Sequence, residues 1–303
     1  MQHIVAVNQF DRDWIRDLFD RADVMRAGKH DPDSLRGKIL ATIFYEPSTR
    51  TRLSFESAML RLGGQVVSTE NAREFSSAIK GETVEDTVRI ISGYADAIVI
   101  RHHEQGASKR AAAVSPVPII NGGDGPGEHP TQALLDFYTI RAELGRLDGV
   151  KIALVGDLRY GRAARSLAML FRLVPNAELT FVSPPAVPMG DDIKHLLDEH
   201  QVRWNDEPDM LKAIATVDVV YQTRIQKERY ATPDEYNESK GIYIIDEQAM
   251  QHMQSHAILL HPLPRVDEIT TAVDNDPRAA YFRQARNGVF VRMALLEQLL
   301  KST

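Results

Sequence analysis

The chain has 303 residues, with 36 Lys and Arg against 42 Asp and Glu, for a formal charge of −6. Hydrophobic residues at 43% and charged residues at 26% are ordinary globular usage, which excludes a disordered or collagen-like chain. The acidic balance lacks the positive field that makes nucleic-acid binding a default, so small-molecule chemistry is the favoured class. The length exceeds the roughly 250 to 300 residues at which single cores stop growing, so two domains with a cleft between them are expected. The absence of Cys removes disulfides, thiolate metal sites and cysteine nucleophiles together, and it fits a reducing cytoplasm. The opening MQHIVAVNQFDRDW lacks a basic stretch followed by an apolar one, and no apolar run approaches about 18 residues, so neither export nor a membrane span is expected.

In chain order, Trp14, Leu18, Ala22 and Met25 recur at helical steps, and Gly28 stands where a C-terminal cap belongs. The β-branched run KILATIF near Ile39 reads as a strand, followed by a helix through Phe55, Met59 and Leu62 that ends at Gly63. Further strands are read at DAIVI (near Val99), PVPII (near Ile119), KIALV (near Ala153), ELTFV (near Phe181), VDVVY (near Val219) and AILL (near Leu259). Strands alternating with amphipathic stretches are the pattern of an α/β protein with parallel sheets flanked by helices. The segment NGGDGPGEHP, Asn121 to Pro130, is the densest cluster of turn formers and reads as a loop that serves a site. A helix over Thr131 to Gly145 follows it, and the domain junction is expected there. The chain closes on a helix over Val289 to Leu300, with Val289, Met293 and Leu296 as an apolar stripe.

The most informative string is EPSTRTRLSFESAMLRLGG, where a strand runs through Glu46, Pro47, Ser48, Thr49, Arg50, Thr51 and Arg52 into a helix. Unpaired N–H groups and the positive end of the helix dipole favour an anion at such a start. Hydroxyls at Ser48, Thr49 and Thr51 add neutral donors, and Arg50 adds charge. Phosphate is the natural guest, since each charge-assisted hydrogen bond contributes roughly 1.5 to 3 kcal/mol. The competing structural reading is an N-cap with solvated arginines, because Ser and Thr at helix starts often serve only as caps.

This string resembles the phosphate cradle of the aspartate and ornithine carbamoyltransferase family. Six more family strings follow in family order: SSAIKGET (Ser76 to Thr83), IVIRHHEQG (Ile98 to Gly106), NGGDGPGEHPTQALLD, VGDLRYGRAARS, YQTRIQKER and HPLPR (His261 to Arg265). The resemblance spans roughly Arg36 to Val291. Within the family the match is to the aspartate-using branch: TRIQKER carries Arg224 and Gln226, GDLRYGR carries Arg162, and HPLPR has Pro262 where the ornithine enzymes typically carry Cys. The ornithine enzymes' Asp-plus-Ser-Met-Gly signature is also missing. Charge agrees, because a dicarboxylate needs cationic forks such as Arg162 and Arg224, whereas an ornithine side chain needs an anion.

The resemblance implies two domains, a carbamoyl-phosphate-binding one over residues 1–135 completed by the C-terminal helix 288–303, and an aspartate-binding one over 146–287. The active site is expected in the interdomain cleft. The implied reaction is transfer of the carbamoyl group of carbamoyl phosphate to the amine of L-aspartate, giving N-carbamoyl-L-aspartate and phosphate for pyrimidine synthesis. Ser48, Thr49, Arg50, Thr51 and Arg101 would clamp the phosphate, while Thr51, Arg101 and His129 polarise the carbonyl. Gln132 and the Leu263 backbone carbonyl would hold the carbamoyl group. Arg162, Arg224 and Gln226 would bind the aspartate carboxylates. Ser76 and Lys80 would reach in from a neighbouring subunit, Lys80 also toward aspartate, which implies a homotrimer with shared sites. A regulatory or dihydroorotase chain as partner stays open, as do another amine acceptor such as ornithine and a non-catalytic homologue.

Taken alone, His129 and the Ser76–Lys80 segment would read as structural, and HPLPR as a turn stiffened by its prolines. VGDLRYGR lacks the GxGxxG spacing of a dinucleotide site, and no cofactor is implied. His102 and His103 suggest a metal, but adjacent strand residues point to opposite faces, so no metal is expected. With no evident side-chain base, the departing phosphate is the natural proton acceptor, and positioning and electrostatics carry the rate. Carbamoyl phosphate is expected to bind first, with the second substrate drawing the domains together.

Overall fold

The computed structural model describes residues 3–75, 80–225, 232 and 241–301. The chain divides into two compact units, Met1–Leu135 with Arg286–Thr303, and Asp136–Ala285.

In the first unit, β1 (Ile39–Phe44), β2 (Gln65–Glu70), β3 (Ala97–His102) and β4 (Ile119–Asp124) form a parallel sheet in the order β2-β1-β3-β4. The helices α1 (Arg12–Arg26), α2 (Thr49–Arg61), α3 (Ala72–Phe75), α4 (Val84–Ile91) and α5 (Ala107–Val114) belong to it. Asp11 caps α1 by accepting from the Trp14 N–H at 2.8 Å, and Leu18, Phe19, Ala22 and Met25 form its buried face. Gly28 and Gly63 take φ of 68° and 80° just past the ends of α1 and α2, the left-handed conformation that closes a helix.

The helix α6 (Pro130–Leu144) carries the chain from the first unit to the second. There β5 (Lys151–Val155), β6 (Glu178–Val182), β7 (Arg203–Asp206), β8 (Val219–Gln222) and β9 (Ile258–Leu260) make a second parallel sheet in the order β7-β6-β5-β8-β9. Its helices include α7 (Arg162–Leu170), α8 (Asp191–Glu199), α9 (Met210–Ile214) and α10 (Glu247–His252). The last helix, α11 (Tyr281–Lys301), returns the chain to the first unit.

All seven strands expected from apolar runs form, and β2 and β7 form in addition. Both are edge strands, and with most of their residues exposed or half-exposed, QVVSTE and RWND carry no apolar run to betray them. The loop expected from Asn121 begins later, because Asn121 to Asp124 complete a fully buried β4. The closing helix starts earlier than Val289, and residues 291 to 297 are buried on every face rather than along one stripe. Among the described residues, no helix is long and apolar enough to cross a membrane.

Each sheet has one place where neighbouring strands are followed by connections running in opposite directions, between β1 and β3 and between β5 and β8. In open parallel sheets the carboxyl ends of strands at such a reversal are where ligands bind. The segments leaving those ends are Tyr45–Ser48 and Arg101 in the first unit, and Gly156–Arg162 and Thr223–Arg224 in the second.

Candidate active site

In the first unit, Ser48 is the residue before α2, yet its hydroxyl makes no capping bond to the first turn. It accepts instead from the Arg101 Nη1 at 3.3 Å. This weakens the plain N-cap reading and leaves the helix start oriented toward an anion. Arg101 stands at the penultimate position of β3, and its Nε lies 3.4 Å from a Glu46 carboxylate oxygen. Thr51 and His129 are both buried, with Thr51 Oγ1 3.3 Å from His129 Nε2.

The three arginines of this region differ. Arg52 is tied to Glu56 at 3.3 Å and Glu70 at 2.7 Å. Arg50 is exposed, yet partial desolvation alone draws its pKa below the ordinary arginine value, with no acidic neighbour contributing. Its charge therefore adds to the positive field of the helix start, whereas that of Arg52 is cancelled locally. Thr49 is exposed beside Arg50, and Gln132 is half-buried in the first turn of α6, where the His129 carbonyl accepts its N–H at 3.0 Å.

The turn-rich segment sets His129. Asp124 accepts from the Gly106 N–H at 2.8 Å and the Glu128 N–H at 2.9 Å, joining the loop after β3 to the one after β4. Gly125 has φ of 50°, and a Cβ there would lie 2.3 Å from the His103 carbonyl oxygen. Only glycine permits that approach.

His102 and His103 do not point apart as strand alternation suggests. β3 ends at His102, and the two rings stack with centroids 4.3 Å apart. With Glu104 they form a trio whose ligand atoms lie within 4.8 Å of one another. His102 Nδ1, however, accepts the Glu104 N–H at 3.1 Å, which occupies the single lone pair of a neutral imidazole. Glu104 is paired with Arg110 at 2.7 Å. Burial, reinforced by His103, lowers the His102 pKa to about 4, so it is neutral near pH 7.

In the second unit, Arg162 opens α7 and is half-buried, and half-buried Arg224 follows β8 by two residues. Gly156, at φ of 117°, lets the segment after β5 pass the one after β8: a Cβ there would lie 2.4 Å from the Thr223 carbonyl oxygen. The turn after β9 is held from several sides. Leu263 takes φ of 56°, an outlier for a bulky side chain. Its N–H donates to His261 Nδ1 at 2.8 Å, and His261 Nε2 lies 2.8 Å from Glu268. Arg265 is clasped by the Asp274 carboxylate and by the Tyr281 hydroxyl at 2.9 Å.

Ser48, Thr51, Arg101 and His129 thus stand within one unit as two hydrogen-bonded pairs, with Arg50 beside them. Lys80 is exposed, while Ser76 and Gln226 lie outside the described residues. Sequence reading missed Glu46, Asp124, Glu268 and Arg292, all of which act by holding others. Arg292 is buried, donates to Ser54 Oγ at 2.7 Å, and so steadies a hydroxyl bonded to the Thr51 carbonyl at 3.0 Å. Glu46 stood inside the quoted string. Arg292 and Glu268 left no local signal, because their partners lie far away in sequence or inside a turn.

The hydroxyls and arginines at the start of α2 in the first unit, and half-buried Arg162 and Arg224 with the braced turn in the second, lie past the carboxyl ends of parallel strands, a placement suited to an α/β protein that handles small anions. Residues 2–142 match the family model "Aspartate/ornithine carbamoyltransferase, carbamoyl-P binding domain", and residues 148–299 match "Aspartate/ornithine carbamoyltransferase, Asp/Orn binding domain". The chain belongs to the aspartate/ornithine carbamoyltransferase family. It is 55% identical over 306 residues to the chloroplastic aspartate carbamoyltransferase of Oryza sativa subsp. japonica, covering 98% of this chain and 84% of the relative. The solved catalytic subunit of M. jannaschii aspartate transcarbamoylase superposes with a TM-score of 0.92 at 46% identity, covering 100% of this chain and 99% of that one. The Trypanosoma cruzi aspartate transcarbamoylase, solved with carbamoyl phosphate and aspartate, gives a TM-score of 0.92 at 40% identity, covering 99% and 95%.

Proposed function

We propose that this chain transfers the carbamoyl group of carbamoyl phosphate to L-aspartate, forming N-carbamoyl-L-aspartate and phosphate for pyrimidine synthesis. The observation that carries the reading is the anion-oriented start of α2, where Ser48 bonds Arg101 rather than capping and Arg50 keeps an uncompensated charge. The substrates in the T. cruzi complex and the rice enzyme's name support the same acceptor.

In this mechanism Ser48, Thr49, Arg50, Thr51 and Arg101 bind the phosphate. The neutral amine of aspartate attacks the carbamoyl carbon, and negative charge grows on the carbonyl oxygen. Thr51, Arg101 and His129 donate to it, an arrangement of fixed donors that typically contributes several kcal/mol per developing charge. Gln132 and the Leu263 carbonyl orient the carbamoyl NH2. The carbon–oxygen bond to phosphate then breaks, and the leaving phosphate takes the amine proton. Arg162, Arg224 and Gln226 hold the two carboxylates. The phosphate anchors belong to residues 1–135 and the carboxylate anchors to residues 146–287, and carbamoyl phosphate is expected to bind first.

The finer reading is a cytoplasmic homotrimer in which Ser76 and Lys80 complete a neighbour's site. Exposed Lys80, and Leu53, Leu60 and Val67 left 48%, 60% and 45% exposed on α2 and β2, support a subunit contact there. Mixing Lys80→Ala and Arg50→Ala chains is expected to restore activity in hybrids, and confirmed hybrids without activity would refute the shared site. The function is tested by supplying the purified chain with carbamoyl phosphate and either aspartate or ornithine. Turnover with aspartate alone is expected; turnover with ornithine would overturn the arginine assignment.

A further inference from the structure

The bracing of the turn after β9 assigns a role to a residue that no part of the mechanism above uses. His261 is buried, and its ring is bonded at both nitrogens: Nδ1 accepts the Leu263 N–H at 2.8 Å, and Nε2 faces Glu268 Oε1 at 2.8 Å. A backbone N–H can only donate, so Nδ1 carries no proton and the ring is the neutral Nε2–H tautomer, donating to Glu268. Glu268 is in turn fixed through its other oxygen by the N–H groups of Val266 and Asp267 at 3.1 and 3.2 Å.

The main chain of His261 is anchored as firmly. Its N–H donates to Gln284 Oε1 at 2.9 Å, and Gln284 Nε2 donates to the buried Asp136 at 2.6 Å. The other Asp136 oxygen accepts from the Tyr221 hydroxyl at 2.7 Å. A chain of hydrogen bonds therefore runs from α6 through α11 to His261, and from the His261 ring to the one residue of this turn with a left-handed backbone. A leucine at φ of 56° sits in a sparsely populated backbone region that persists only where the surroundings impose it.

We propose that His261 is a positioning residue: as a neutral imidazole between Glu268 and the Leu263 N–H, it fixes the backbone whose carbonyl receives the carbamoyl group. This rests on the carbamoyl-transfer reading given above. The chemistry predicts an asymmetry between two amide replacements. His261→Asn places its oxygen near Nδ1 and keeps an acceptor for Leu263, whereas His261→Gln places its amide near Nε2 and keeps only the link to Glu268.

The test measures kcat, the KM for each substrate, the melting temperature and inorganic phosphate affinity for both variants beside the unmodified chain. His261→Gln is expected to lower kcat about tenfold more than His261→Asn, since small misplacements of a positioning group cost up to about a hundredfold. Phosphate affinity and melting temperature should be alike in the two. Equal kcat values in two folded, active variants would overturn the inference. Turnover by the unmodified chain is scored first, because its absence would overturn the function instead. Should the variants fail to fold, the unmodified protein labelled with 15N-histidine answers the question through the ring-nitrogen shifts of His261. An unprotonated Nδ1 and a protonated Nε2 are expected near neutral pH, and a protonated Nδ1 would overturn the proposal.

Discussion

The start of α2 and the turn after β9, each within its own unit, are given different parts of the same proposed chemistry, and they are built on opposite plans. At the start of α2, Arg50 and Thr49 are exposed and the Ser48 hydroxyl is not used for capping. In the turn, His261 and Glu268 are buried and mutually bonded, and Arg265 is clasped by a carboxylate. In the proposed reading the first region recognises charge, and Arg50 is the arginine there that no acidic group offsets. The second fixes geometry, so its polar groups are satisfied by one another. On the proposed function, affinity for phosphate and precision at the carbamoyl group would then fall to different parts of the chain.

The largest expected effect separates two arginines that are two residues apart. Arg50→Ala should weaken carbamoyl phosphate binding about a hundredfold, because two charge-assisted hydrogen bonds at about 1.5 kcal/mol each are lost. Arg52→Ala should change that affinity less than about threefold, since its guanidinium is already held by Glu56 and Glu70 and its charge is largely offset there. Calorimetry on both variants checks this, and equal losses would remove the distinction between them. A middle-sized effect is expected from Arg224→Ala. The KM for aspartate should rise about thirtyfold while binary carbamoyl phosphate affinity holds, a carboxylate contact being worth about 2 kcal/mol. Loss of binary affinity would mean that the two regions do not divide the substrates as described.

Much of this contrast was readable in the sequence, but unevenly. The apolar strands β1, β3, β5 and β8 announce themselves because both of their faces are covered. The reversal points then follow from where the strands end. β2 and β7 escaped because an edge strand with exposed side chains needs no apolar run. The cradle was readable because its hydroxyls and guanidiniums are contiguous, a consequence of one helix start supplying them all. The braces were not, since Gln284 and Asp136 are 148 residues apart in sequence and nothing local marks a pair that meets only after folding. His102 and His103 were misread for a similar reason: alternation holds along a strand and fails at its end.

The smallest effect expected concerns acid, and it distinguishes the two regions by titration. His102 lies beside the cradle, faced by His103, Glu104, Arg110 and Glu46 and packed at 4.5 Å on the Tyr45 ring. Burial above all, with His103 and Arg110 adding to it, lowers its pKa from 6.5 to about 4. The unfolded chain therefore takes up the proton first, so the stability that depends on neutral His102 is full above about pH 6.5 and declines as pH falls toward 4. In the turn, burial alone would raise the Glu268 carboxyl, but hydrogen bonds from His261 and the neighbouring N–H groups hold it below the usual 4.5. Its contribution is present above that value and is lost only as pH falls further. Between about pH 6.5 and 5, urea unfolding of the unmodified chain should thus show a decline in stability that His102→Asn, which keeps an acceptor for the Glu104 N–H, reduces. Hydrogen exchange over the same range should quicken around residues 102–106 before it quickens around 261–268. An unchanged slope in His102→Asn would mean that the neutral histidine contributes nothing to that decline, and simultaneous loosening would mean that the two regions respond to acid as one.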